Sequence, residues 1–168
     1  MKHLKIKNTQ LSYGWVAIVL HWVMAVAIFF LFGLGLYMVE LTYYDAWYKG
    51  SLDLHKSIGV SLFMFWCLRF IWRLTNLNPA MPEAKTAFER FENLAAHWMH
   101  LGIYLIMILL MISGYLISTA DGRGIAVFDL FTVPAIPAFI EKQEDVAGDI
   151  HFYLAWTLMV MVAVHALA

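Results

Sequence analysis

His151 and His165 stand fourteen residues apart in an apolar run, Ile150 to Ala168, that carries no charged residue. At about 1.5 Å of rise per residue, a helix separates them by roughly 21 Å along its axis. At about 100° per residue, fourteen steps fall some 40° short of four full turns, so both rings leave nearly the same face. Imidazole inside a bilayer is costly and marks functional interiors. Two imidazoles stacked at two depths suit axial ligation of two cofactors.

The elements that must position them are membrane spans. Of the 168 residues, 62% are hydrophobic and the mean hydropathy is +0.72, well above a soluble domain. Seven Trp, eight Tyr and twelve Phe supply the aromatic load of two membrane interfaces. The net charge of −1 says little about partners, and no nucleic-acid partner is expected. Cys67 is the single cysteine, which excludes an intrachain disulfide and a cysteine-rich metal or iron–sulfur site. The Cys-x-x-Cys-His signature of covalent haem attachment is absent, so any haem must be b-type, held by histidine or methionine. Cys67 itself reads as a small buried apolar residue.

Four spans of roughly twenty residues are predicted, at about 15–39, 53–74, 93–118 and 150–168. The fold class is therefore all-α, an integral membrane four-helix bundle in one domain over residues 1–168. The second span is the weakest, because Lys56 and Arg69 leave twelve uncharged residues between them. The first is too long for a signal-peptide core and lacks a clear cleavage site, so it is read as retained. Lys2, Lys5, Lys7, Arg69, Arg73, Lys85 and Arg90 fall on one side of the membrane. Lys49, Lys56, Arg123 and Lys142 fall on the other, with nine of the twelve acidic residues. The positive-inside rule then places both termini and the loop between spans two and three in the cytoplasm, and the two other loops in the periplasm.

Six of the seven histidines sort by depth in this topology. His55 and His151 open the second and fourth spans on the periplasmic side. His21, six residues into the first span, and His165 lie toward the cytoplasmic side, with His97 and His100 at the start of the third. His3, on the basic tail, is solvated. A lone histidine near a helix end is ordinarily an interfacial residue, but depth-matched histidines on facing helices build cofactor sites in bundles. Two layers with a pair each suit two bis-histidine haems. The competing use, a haem-free proton or metal-ion path, should carry buried carboxylates, and spans one, three and four have none in their interiors.

These residues carry a resemblance. Leu20-His21-Trp22, His55-Lys56-Ser57-Ile58-Gly59, Arg69-Phe70-Ile71-Trp72-Arg73 with Pro79 and Pro82, and Ala96-His97-Trp98-Met99-His100 are similar to stretches of the prokaryotic cytochrome b-561 family, as is the His151/His165 pair. That family includes the bacterial superoxide oxidase, a superoxide:ubiquinone oxidoreductase. Its scaffold also occurs in the cytochrome b subunits of nickel–iron hydrogenases and formate dehydrogenases. The resemblance covers nearly the whole chain. It implies two haem b groups, with His21 and His165 ligating the cytoplasmic-side iron and His55 and His151 the periplasmic-side iron. It further implies a multi-pass protein of the bacterial inner membrane. Family members usually continue past the last ligand with more helix and a basic tail, whereas this chain stops three residues after His165. Either the sequence ends early or the tail is missing; if such a tail lines the quinone site, that part of the site is not in view.

Further residues fit that frame. Gly59, one turn after His55, would leave room for a porphyrin, although close helix packing through a small residue explains it equally. Arg69 and Arg73, four apart, could pair with haem propionates or quinone oxygens, or serve as positive-inside anchors. Lys56 is a candidate for a propionate contact or an anion lure. His97, His100, Arg69 and Arg73 are the quinone-site candidates, with ubiquinone the expected acceptor.

With both axial positions filled, iron passes electrons rather than binding oxygen, so no catalytic side chain is expected. The leading expectation is transmembrane electron transfer between a periplasmic donor, superoxide among the candidates, and the quinone pool. The alternative is a haem-bearing membrane anchor for a larger dehydrogenase or hydrogenase, against which the small soluble mass outside the helices counts. The loop from Thr119 to Asp149 carries Phe128, Phe131, Pro134, Ile136, Pro137, Phe139 and Ile140, expected at the membrane interface or over the outer haem. Its carboxylates, Asp121, Asp129, Glu141, Glu144, Asp145 and Asp149, favour a basic protein donor over superoxide.

Overall fold

The four apolar runs become four helices in the computed structural model: α1 (Trp15–Val39), α2 (Tyr48–Thr75), α3 (Ala87–Thr119) and α4 (Gln143–Leu167). The structure describes residues 5–80 and 83–167; Lys2, His3, Pro82 and Ala168 lie outside the described residues. All four helices are long and apolar enough to cross a membrane, so the chain is an all-α membrane protein with four candidate spans. α1 coincides with its predicted span. The other three begin earlier than their apolar stretches, because helix continues through polar turns wherever the backbone is capped. At α3 the cause is visible: Thr86 Oγ1 accepts from Glu89 N, and the Glu89 carboxylate accepts from Thr86 N, a capping box that starts the helix at Ala87 rather than near Asn93.

The chain packs as two units, residues 1–82 and 83–168. In the first, α1 and α2 form an antiparallel hairpin whose loop end is the turn from Glu40 to Trp47. Asp45 organises that turn: its Oδ2 accepts from Thr42 N and from Thr42 Oγ1, both at 2.7 Å. Those two bonds hold the Asp45 carboxyl below its ordinary range, the backbone bond contributing most. At the open end, the segment before α1 is tied to the segment after α2. Buried Asn8 donates from Nδ2 to Leu77 O and accepts at Oδ1 from Gly14 N, each at 2.8 Å, and Ala80 N donates to Gln10 O. Gly14 permits this, since a Cβ there would collide with the Ile6 carbonyl.

In the second unit, α3 and α4 form the hairpin, and the loop end carries a small antiparallel ribbon. β1 (Ile125–Val127) pairs with β2 (Phe131–Val133) in the register Ile125↔Val133, Ala126↔Thr132, Val127↔Phe131. Ile125 and Val127 are buried, so one face of the ribbon packs inward. Leu130 N donates to Val127 O, closing a β-turn within the three-residue connection 128–130, and its central residues Phe128 and Asp129 have φ of 47° and 58°. Such turns ordinarily take Asn-Gly, because the left-handed region costs other residues about 1–2 kcal/mol each. The ribbon and the segment after it are pinned to α3. Tyr115 Oη donates to Pro134 O at 2.7 Å, and buried Gln143 donates from Nε2 to Leu116 O while its Oε1 accepts from Phe139 N. Leu116 O is among the last four carbonyls of α3, which have no partner inside their own helix, so Gln143 satisfies an end that would otherwise need water.

Candidate functional site

Of the predicted ligands, His151 is placed most completely. It lies two turns into α4, and its Nδ1 sits 3.0 Å from Leu110 O on α3 and 3.1 Å from Ser113 Oγ. A carbonyl only accepts, so Nδ1 carries the proton and Nε2 keeps its lone pair. The Ser113 hydroxyl donates to the same Leu110 carbonyl at 3.0 Å and is left to accept from the imidazole. The ring also rests on Gly114: a Cβ there would stand 3.1 Å from His151 Cε1 and 3.3 Å from Nδ1. Three features of one stretch of α3 thus set the tautomer, the tilt and the depth of one imidazole. Metal-ligating histidines are held in this way, with the far nitrogen donating to a carbonyl.

At the loop end of the other unit, His55 meets Gly35 of α1. A Cβ at Gly35 would lie 3.5 Å from His55 Cε1, an ordinary contact, so this ring also packs over a glycine but with more tolerance. Lys56 pairs with Asp53 at 3.0 Å, one turn back on α2. Gly59 opens onto free space, with nothing within 4 Å of where a Cβ would stand, as a residue making room for a flat group would.

At the open ends, the predicted residues divide. Arg69 Nη1 donates to Ala17 O at 3.2 Å, the carbonyl one turn before His21, which brings a guanidinium close to that histidine's helix face. Arg73 is exposed on the last turn of α2. His21 is exposed and stands edge-on to Trp22. In the second unit, His100 and His165 come together, ring centroids 5.0 Å apart at an interplanar angle of 70°. His97 is exposed and stands edge-on to Trp98. The structure therefore separates the two histidines that open the third span: His100 belongs with His165, and His97 looks outward.

Sequence reasoning missed Gly35, Leu110, Ser113 and Gly114. A signal existed for Gly114, since Ser113-Gly114 interrupts an apolar helix at a depth near His151; Leu110 acts through its backbone and leaves no trace in residue type. The donor set fits a haem. An imidazole with its Nδ1 proton committed presents the neutral nitrogen that a haem iron takes, and Gly114 beneath the His151 ring leaves a close approach that a Cβ would crowd.

Comparison with known proteins agrees. Residues 12–168 match the family described as prokaryotic cytochrome b561. The chain is also 43% identical over 162 residues to cytochrome b561 homolog 2 of Escherichia coli (strain K12), covering 96% of this chain and 85% of that protein. A match over most of the chain, together with four spans and a histidine seated as an axial ligand would be, leads to one assignment: the chain belongs to the prokaryotic cytochrome b561 family, multi-pass haem b proteins of the bacterial inner membrane that carry electrons.

Proposed function

We propose that the chain is a single di-haem domain that conducts electrons across the inner membrane, from a periplasmic donor to the quinone pool. His21 with His165 and His55 with His151 are the proposed axial pairs. The observation that carries this reading is the Nδ1 bond of His151 to Leu110 O, which satisfies the ring inside the span and turns its Nε2 lone pair toward a ligand role.

Haem b, when bound, supplies a one-electron couple within the bilayer. The chain's residues do the rest. His151 is held in one tautomer by a peptide carbonyl, a partner that does not titrate. Gly114 and Gly35 bring two rings close to the neighbouring helices, and Gly59 leaves space beside His55. Arg69, anchored on Ala17 O, is the proposed propionate or quinone contact near His21, with Arg73 one turn further. His100 is the proposed quinone-side neighbour of His165, with His97 in an outer position and ubiquinone the proposed acceptor. Lys56, paired with Asp53, is the proposed propionate contact or anion lure at the loop end.

By the positive-inside rule, the loop ends face the periplasm. Their carboxylates repel superoxide and attract a cationic carrier, so a basic protein donor is favoured, with superoxide the competing substrate.

The test is direct. Purified protein should hold about two haems per chain with low-spin b-type spectra, as bis-imidazole ligation requires. His55→Ala and His151→Ala should each remove the same one haem and leave the other. Quinone reduction should then be followed with superoxide and with a reduced basic carrier; a rate at the uncatalysed background for both would end the periplasmic-donor reading. One haem per chain in the unaltered protein would end the di-haem reading.

A further inference from the structure

The loop end of the second unit is more apolar on its outside than a water-facing loop should be. Leu130 is 81% exposed, Phe139 68%, Ile136 55% and Phe128 50%. Exposed apolar groups gathered in one short segment mark a contact surface. The turn that presents two of them is held against its own backbone preference, with Phe128 and Asp129 both in the left-handed region where glycine or asparagine would sit more easily. A turn selected only to reverse the chain would not place phenylalanine there.

Two bonds decide what this surface meets. Tyr115 lies four residues before the end of α3, so its Cα is about 6 Å below that end along the axis. Helical side chains lean toward the N-terminus, which here is deeper in the span. Because Tyr115 Oη donates to Pro134 O, the root of the ribbon is drawn back along the helix to the level of its penultimate turn. Gln143 does the same for the end of the loop through Leu116 O. The loop is therefore tied back along the last turns of α3 instead of extending freely beyond its end. Val146, Ile150 and Tyr153 on the first three turns of α4 are exposed as well.

We propose that the Phe128–Leu130 turn, with Ile136 and Phe139, is a lipid anchor seated in the headgroup–acyl boundary of the bilayer beside α3 and α4. Asp129, between the two apolar tip residues, sets the depth: its carboxylate stays among the headgroups while Phe128 and Leu130 enter the acyl edge. The anchor fixes the height of the loop end at the membrane surface, where a donor must arrive. It depends on the membrane location of the chain and not on the number of haems or the identity of the donor.

The experiment uses the full-length protein with Cys67→Ala, labelled through Leu130→Cys with an environment-sensitive nitrobenzoxadiazole probe, in phosphatidylcholine nanodiscs. Arg123→Cys, on the same loop but paired with Asp121 in water, is the control. The Leu130 probe should emit to the blue of the control, be quenched by bromine placed near the headgroup end of the acyl chains, and be shielded from aqueous iodide. Emission equal to the control, with iodide quenching and no bromine quenching, would overturn the proposal. So would a blue shift that arises only when a periplasmic protein fraction is added, since that would assign the surface to a protein partner.

Discussion

Gly114 and His151 approach so closely that a side chain at residue 114 would crowd the imidazole. A Cβ added there would stand 3.1 Å from Cε1 of the imidazole, inside the usual carbon contact distance. The glycine therefore serves the ring on the next helix. It lets α3 and α4 close until Leu110 O can take the Nδ1 proton.

Gly114→Ala should for that reason cost function although it favours the helix. Exchanging Gly for Ala in a helix interior gains about 1 kcal/mol from propensity alone. Against that, the methyl must tilt the His151 ring or stretch its bond to Leu110 O. We expect a reduced haem-to-protein ratio by pyridine haemochrome and a disturbed low-spin signal. Gly35→Ala, where the added methyl meets His55 at 3.5 Å, should keep its full haem content. Equal haem content in both variants and the unaltered protein would refute the steric argument.

Ser113→Ala is expected to be mild. The imidazole keeps its Leu110 acceptor, and the lost hydroxyl contact is worth about 0.5–1.5 kcal/mol. Thermal unfolding in detergent should show a small decrease, with the haem spectrum unchanged. A lost haem would mean that the serine, not the carbonyl, orients the ring.

Gln143→Leu should be more damaging than its position at a helix start suggests. The side chain is buried and serves both Leu116 O and Phe139 N. Leaving those groups unpaired costs about 1–3 kcal/mol. Hydrogen exchange should rise at Phe139 and along the first turn of α4, while the far end of α4 stays protected. Unchanged exchange there would show that water replaces the amide at no cost.

The turn between α1 and α2 should respond to acid. The carboxyl of Asp45 is held below its ordinary value near 3.8 by Thr42, so the turn gains stability from the ionised form. That contribution is complete above the ordinary value and is lost as pH falls through the lower, folded one. Amide protection at Thr42 should be flat across neutral pH and decline only under strong acid, and Asp45→Asn should weaken it at every pH above that window. A decline centred near neutrality would contradict the assignment.

Much of the fold was legible because a bilayer imposes its own reading. Charge-free runs long enough to cross it must become helices, since no other segment satisfies its backbone there. The run from Trp15 to Val39 was therefore found to the residue. The start of α3 was not, because Thr86 and Glu89 extend the helix by backbone capping, which hydropathy does not see. The ribbon at Ile125–Val133 was also missed, since three-residue strands are too short for a periodic pattern and their turn uses Phe-Asp in place of the usual signal.

The same division runs through the site. How far apart two histidines stand along one helix could be read from spacing, because rise per residue is a constant of the helix. What holds each ring did not. That Leu110 contributes a carbonyl, that Gly114 lies under His151, and that His100 rather than His97 adjoins His165 depend on how two helices rotate against each other. A sequence specifies the faces of a helix; only packing across the hairpin decides which atoms of those faces meet.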